Sequence, residues 1–138
     1  MKLVVYLLVF ILVFVISGSL FVRLAPTDAR RWHQPVEATE SQDLTGGAIR
    51  VFEAEPDALA RIDAAARALP RTDVIAGSVD DRRVTYRTRS KWIGFPDFTT
   101  VEYVDGQIRM FARLRFGRSD LGVNGKRLER LRAVAERG

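Results

Sequence analysis

The chain has 138 residues, 47% of them hydrophobic, and no cysteine. That length suits a single domain, and the missing thiols exclude a disulfide-built scaffold. Twenty-two basic residues against 17 acidic ones leave a net charge of +5, which admits anionic partners without identifying one.

Leu3 to Val22, LVVYLLVFILVFVISGSLFV, carries no charge. Twenty helical residues reach about 30 Å, the thickness of a bilayer's hydrocarbon core, so residues 1–22 are expected to form a transmembrane anchor. A cleaved signal peptide is the rival, with Lys2 as its basic head and Ser17-Gly18-Ser19 as a small-residue cleavage site. The apolar run continues past that site through Leu20, Phe21 and Val22, which favours the anchor. Two arguments on orientation conflict. Arg23, Arg30 and Arg31 outnumber the charges at the other end, which by the positive-inside rule keeps the C-terminal remainder in the cytoplasm. An apolar segment behind a lysine is also the ordinary route for exporting a downstream domain. We take the second: a single pass through the inner (cytoplasmic) membrane with the remainder exported.

Residues 23–47 show no apolar periodicity and contain Pro26, Pro35 and the pair Gly46-Gly47, the pattern of a juxtamembrane linker. Trp32, flanked by Arg30 and Arg31, suits the headgroup zone. His33 is the only histidine and lacks companions of metal-binding type, so neither a metal nor another cofactor is expected.

The folded unit is expected over residues 48–138. AIRVF (48–52) reads as a short strand. EPDALARIDAAARALP reads as a helix that begins near Pro56 and stops at Pro70, with Leu59, Ile62, Ala66 and Leu69 on one face. After Pro70 the hydrophobic period drops to two. TDVIAGSV is a strand ending at the Asp80-Asp81 turn. In RVTYRTRSKW, Val84, Tyr86 and Thr88 alternate with Arg83, Arg87 and Arg89. Gly94 to Asp97 reads as a turn, FTTVEYV as a strand, and Asp105-Gly106 as a two-residue hairpin turn before QIRMFARLRF. That turn sets a register: Val104 opposite Gln107, Tyr103 opposite Ile108, Glu102 opposite Arg109 and Val101 opposite Met110. A four-residue turn at Gly94–Asp97 places Arg89 opposite Glu102 as well. The face away from the helices then carries Arg83, Arg87, Arg89, Arg109, Arg113 and Arg115 around one acid. Such a face is either solvated or binds anions; like charges at this density repel unless something negative neutralises them.

RFGRSDLGVNGKRLERL (115–131) joins the last strand to the last helix. Gly117 and Gly122 are expected at positive φ. Ser119 and Asp120 suit a turn held by side-chain oxygens, and Asn124 suits the N-cap of a helix whose stripe is Leu128, Leu131 and Val134 or Ala135. For catalysis, Ser119 has no histidine near it in sequence. Asp97 and Asp120 could serve as an acid and a base, but no spacing argument brings them together. We expect a structural turn and cap, with a ligand loop as the alternative.

The same residues carry a resemblance. ARLRFGRSDLGVNGKRLERLRA resembles the C-terminal signature of the domain-of-unknown-function family 1499, in which a Gly-x-Ser-Asp-Leu-Gly-x-Asn pattern precedes a basic helix. Gly117, Ser119, Asp120, Leu121, Gly122 and Asn124 match it, as do WIGFPDFTT and LPRTDVIAGSV. Gly125 stands where a basic residue is usual. The resemblance implies an envelope-associated α+β domain and brings no catalytic residues.

The expected architecture is an α+β domain: an antiparallel sheet of four or five strands with two helices on one face, preceded by the transmembrane helix. The expected function is that of a non-enzymatic envelope protein binding an anionic partner, such as lipid headgroups, through the basic sheet face. The alternative is a ligand carrier or enzyme with a cleft near Trp92, Phe95, Asp97 and Ser119-Asp120; a cavity with shifted carboxylate pKa values there would favour it. Nucleic acid is disfavoured, for want of an aromatic stacking motif and because of the membrane segment.

Overall fold

Alternation builds the sheet. A computed structural model describes all 138 residues. Six strands, β1 (Gln42–Leu44), β2 (Gly47–Glu53), β3 (Thr72–Ser78), β4 (Arg83–Arg89), β5 (Pro96–Val104) and β6 (Gln107–Leu114), form one antiparallel sheet in the order β1-β2-β6-β5-β4-β3. The helices are α1 (Lys2–Leu24), α2 (Ala29–Trp32), α3 (Ala58–Ala68) and α4 (Val123–Ala135). Strand β1 is the one the sequence does not announce: its three side chains are all exposed, so no apolar alternation marks it.

Helices α3 and α4 cover one face of the sheet. Val84 and Tyr86 from β4, Val101 from β5, and Ile108, Met110 and Ala112 from β6 point into that layer. There they meet Leu59, Ile62 and Ala66 of α3 and Leu128, Leu131 and Ala135 of α4, the spacings that put one side of each helix inward. Burying each of the large side chains stabilises the fold by roughly 1.5–3 kcal/mol.

The β5–β6 hairpin has the expected register, with Glu102 opposite Arg109, Val101 opposite Met110 and Val104 opposite Gln107. Asp105 and Gly106 both take positive φ, 52° and 73°, the geometry that matches strand twist in a two-residue turn. The β4–β5 connection differs from expectation. Strand β5 begins at Pro96, Arg89 pairs with Pro96, and it is Arg83 that lies opposite Glu102. The turn is the longer Ser90–Phe95 loop, closed by Ser90 Oγ, which accepts from the Gly94 and Phe95 N–H groups. A hydroxyl at its first position, rather than the Gly-Phe-Pro sequence, defines it.

The stretch read as a linker is part of the fold. Residues 25–40 cross the second sheet face as a strap. Trp32 stacks on Phe98 with ring centroids 4.1 Å apart, and both are buried. His33 Nδ1 lies 2.8 Å from Thr85 Oγ1, and the Val36 N–H donates to Glu102 Oε1 at 3.0 Å. Helix α1 is 23 residues long, with a mean hydropathy of 2.8 over its most apolar stretch of 18 residues, long and apolar enough to cross a membrane. Its side chains are exposed as far as Gly18, and only its last turns, through Ser19, Val22 and Arg23, meet the domain.

Candidate functional site

The six arginines proposed as an open anion-binding face are committed to the strap and to the sheet itself. Arg83 Nε donates to Glu102 Oε2 at 2.7 Å, and Arg87 forms a two-pronged pair with Asp73. Arg109 reaches the Val36 carbonyl, and Arg115 the Pro26 carbonyl and Thr27. Arg113 donates to the Trp32 carbonyl and to Thr100 Oγ1, and lies over the Trp32 ring. Burial pushes Arg113 down to about 10, still charged at neutral pH. Arg89 donates to the Gly94 and Arg23 carbonyls. The expectation of an open basic face is therefore corrected. Its N–H groups are engaged within the chain, by the Glu102 and Asp73 carboxylates and by carbonyls, most of them from a segment whose sequence shows no periodicity.

The opening between the β6–α4 loop and the β4–β5 loop is where polar groups converge. A cleft of about 300 Å³ is lined there by Arg89, Phe95, Asp97, Ser119, Asp120 and Arg127, among others. Trp92, expected at this cleft, is 82% exposed and does not line it.

The loop is organised by Asp120, not by Asn124. Helix α4 begins after Gly122, which with Gly117 takes positive φ as expected, at 78° and 96°. Asp120 Oδ1 accepts from the Gly122 N–H at 3.0 Å and Oδ2 from the Asn124 N–H at 3.1 Å, the service a capping carboxylate gives the positive end of a helix. The Ser119 hydroxyl accepts from the Leu121 N–H. Asn124 lies inside the first turn, fully buried, which corrects its assignment as N-cap. Its amide donates to Asp97 Oδ2 at 3.1 Å, and its carbonyl accepts from Arg127 Nη1.

Asp97 and Asp120 thus meet at one site that spacing alone could not join. The Asp97 carboxyl sits above the usual aspartate range: burial raises it, the Asp120 charge adds to this, and Arg127 and the Asn124 amide only partly offset them. Burial likewise lowers Arg127, which Asp97 and Asp120 partly restore. Arg127 Nη1 stands 3.8 Å from Asp97 Oδ2, a loose pair that leaves other guanidinium N–H groups free to meet a ligand. Ser119 has no histidine beside it, because His33 is on the opposite face of the sheet. No three His, Asp or Glu side chains converge as a metal would require.

A second opening of about 280 Å³ adjoins the first and shares Arg71, Thr88, Val123 and Arg127 with it. Arg71, Lys126 and Arg130 were not singled out from the sequence. Lys126, Arg127 and Arg130 fall on adjacent turns of α4, so the helical spacing of the basic residues could have found them; the place of Arg71, brought in from the start of β3, is tertiary.

These features define a class: an α+β domain behind an apolar N-terminal helix, with a polar cleft where its last helix starts. The chain belongs to the family described as protein of unknown function (DUF1499), which it matches over residues 25–134. That match begins at the strap, in keeping with the strap's place in the fold. No curated protein matches the chain.

Proposed function

We propose that the protein is a single-pass membrane protein of the cell envelope, anchored in the inner membrane by α1, with its domain exported. The domain is a binding module, not an enzyme, and it engages an anionic partner of the lipid-headgroup type through the end nearest the anchor. The observation that carries this reading is how α1 meets the domain. Ser19 Oγ donates to the Ile93 carbonyl at 2.9 Å, and Arg23 donates to the Trp92 carbonyl at 3.1 Å. Gly94, at φ 87°, packs against the Arg23 side chain, whose guanidinium would lie 2.9 Å from a Cβ built there. The Ser90–Phe95 loop therefore lies at the bilayer surface.

That end has the chemistry of an interface. Trp92 is 82% exposed, Leu121 87% and Phe95 40%. Lys91 Nζ lies 5.0 Å from the centre of the Trp92 ring, and Arg118 is exposed beside the neighbouring loop. An amphipathic indole with flanking cations belongs at the headgroup level. The anionic partner proposed for the sheet face belongs here, because the cations of that face already have partners.

The test uses the full-length chain in nanodiscs made with bromine-labelled lipids. Fluorescence should be strongly quenched, and Trp92→Phe should remove most of the quenching, leaving the signal of Trp32. Quenching should rise with the anionic lipid fraction and weaken in salt, since exposed charges are screened within ~10 Å at 0.1 M. Quenching unaffected by Trp92→Phe would sink the reading.

A further inference from the structure

Three cations without a carboxylate partner, Arg71, Lys126 and Arg130, gather beside the cleft, with Arg127, held only loosely by Asp97, among them. The second opening is lined by Arg71, Lys126, Arg127 and Arg130, with no acidic residue among its eight lining side chains. Arg71 spends one N–H on the Arg89 carbonyl, while the Lys126 and Arg130 side chains are exposed with no ion pair holding them. Elsewhere on α3 and α4 the basic residues are paired: Arg61 with Asp57, Arg67 with Asp63, and Arg132 with Glu136. Four cations facing one space of about 280 Å³ repel one another, and an anion placed among them removes that cost. Thr88 adds a hydroxyl.

The adjoining opening supplies the other half. It shares Arg71, Thr88, Val123 and Arg127 with the cationic space, and its walls include Phe95, Leu114 and Phe116. Phe95 and Phe116 rings lie 6.4 Å apart, and Phe95 closes the loop on which α1 rests. A path therefore leads from the anchor, along an aromatic wall, into a pocket of cations.

We propose that these joined openings form a binding site for an anionic amphiphile with a terminal phosphate. The phosphate sits among Arg71, Lys126, Arg127 and Arg130, and the apolar part runs past Phe95 and Phe116 towards the bilayer. Guanidinium groups suit phosphate because their planar N–H forks match its oxygens. This inference rests on the membrane-surface reading above and names the ligand class and the site.

The experiment measures binding of dioctanoyl phosphatidic acid, dioctanoyl phosphatidylcholine and inorganic phosphate to the full-length protein in nanodiscs of zwitterionic lipid. Lys126→Gln/Arg130→Gln is the informative variant, because both side chains are exposed and their loss leaves the core and the Asp97–Asn124–Arg127 network intact. Arg82→Gln/Arg137→Gln is its control, removing the same charge from exposed positions outside the pocket and away from the end that faces the anchor. Phosphatidic acid is expected to bind at least tenfold more tightly than phosphatidylcholine or inorganic phosphate. The pocket variant is expected to weaken it about tenfold or more, and the control to change it little. Equal loss in both variants would mean a diffuse surface effect and would overturn the site. Inorganic phosphate binding as tightly as phosphatidic acid would overturn the amphiphile in favour of a free phosphate ester. Trp92 quenching separates the two readings: quenching retained with no phosphatidic acid selectivity discards the site alone, whereas quenching lost discards the surface reading beneath it.

Discussion

Asp97 is half-buried against the first turn of α4 with one amide and one guanidinium for company. Its raised pKa has a definite sign in the stability balance. A carboxyl that protonates more readily folded than unfolded favours the fold at low pH, and that contribution is lost as the pH rises from the ordinary aspartate value of 3.8 through the raised one. Asp97→Asn should therefore flatten the wild-type decline in melting temperature across that window. A parallel decline in both proteins would show that other groups cause it. Asn124 is the second sensitive residue. Asn124→Ala leaves Asp97 and Arg127 short of partners in a buried setting, and a loss of about 1–3 kcal/mol is expected in thermal unfolding. Asp120→Ala removes the cap from α4 and should cost about 0.5–2 kcal/mol. The signature's polar residues were legible as a turn and a cap, but not their division of labour. Asp120 and Asn124 are both good capping residues, and only the partner waiting on β5 decides that Asn124 turns inward while Asp120 takes the helix end.

The strap is the element whose contribution is hardest to foresee. Its contacts depend on Trp32, His33 and Val36, and three side chains make no period. The β5–β6 hairpin, by contrast, is readable to the residue, because its turn demands positive φ at two positions and its strands alternate cleanly. The β4–β5 loop departs from expectation because a serine hydroxyl, which leaves no pattern, closes it. Removing the indole tests the strap directly. Trp32→Ala should cost roughly 3–5 kcal/mol, as for other large buried aromatics, and should speed exchange of the Val36 amide ahead of the sheet amides. His33 adds a dependence on pH. Thr100 gives its proton to the Trp32 carbonyl, so Thr85 gives its own to Thr100, and His33 is left to donate from Nδ1. Its pKa is lowered from 6.5, by burial first and then by Arg83, with Asp81 and Glu102 opposing. A histidine lowered in this way stabilises the fold above pH 6.5, and the contribution fades as the pH falls towards its lowered value. Exchange at Val36 should accelerate over that window in the wild type and not in His33→Gln. Gly77 leaves room on both sides: at φ 79° on β3, an added Cβ would stand 2.0 Å from the Arg83 carbonyl oxygen and 2.6 Å from the imidazole, so Gly77→Ala should disturb the β3–β4 pairing along with the seat of His33.

At the scale of the whole molecule, the sheet divides two kinds of positive charge. Arginines on the strap side are spent on internal carbonyls and carboxylates, whereas those around the start of α4 remain available. Net charge read from composition could not make that distinction, since +5 counts both kinds alike. Raising the ionic strength should therefore leave the melting temperature nearly unchanged while weakening attachment to anionic nanodiscs; a parallel fall in both would mean that the two sets are not separate. The strap also settles a mechanical question. A chain that leaves a bilayer helix and enters a free linker gives its domain a leash, and the domain can then wander or reach. Here the chain passes from α1 through Pro26 and Thr27, held by Arg115, straight to Trp32 on the sheet, so no slack remains. On the anchored reading proposed above, the domain would ride at one height and in one orientation. A pull along α1 would load the Ser90–Phe95 loop and Arg115 first, and through them the Trp32–Phe98 stack in the middle of the sheet.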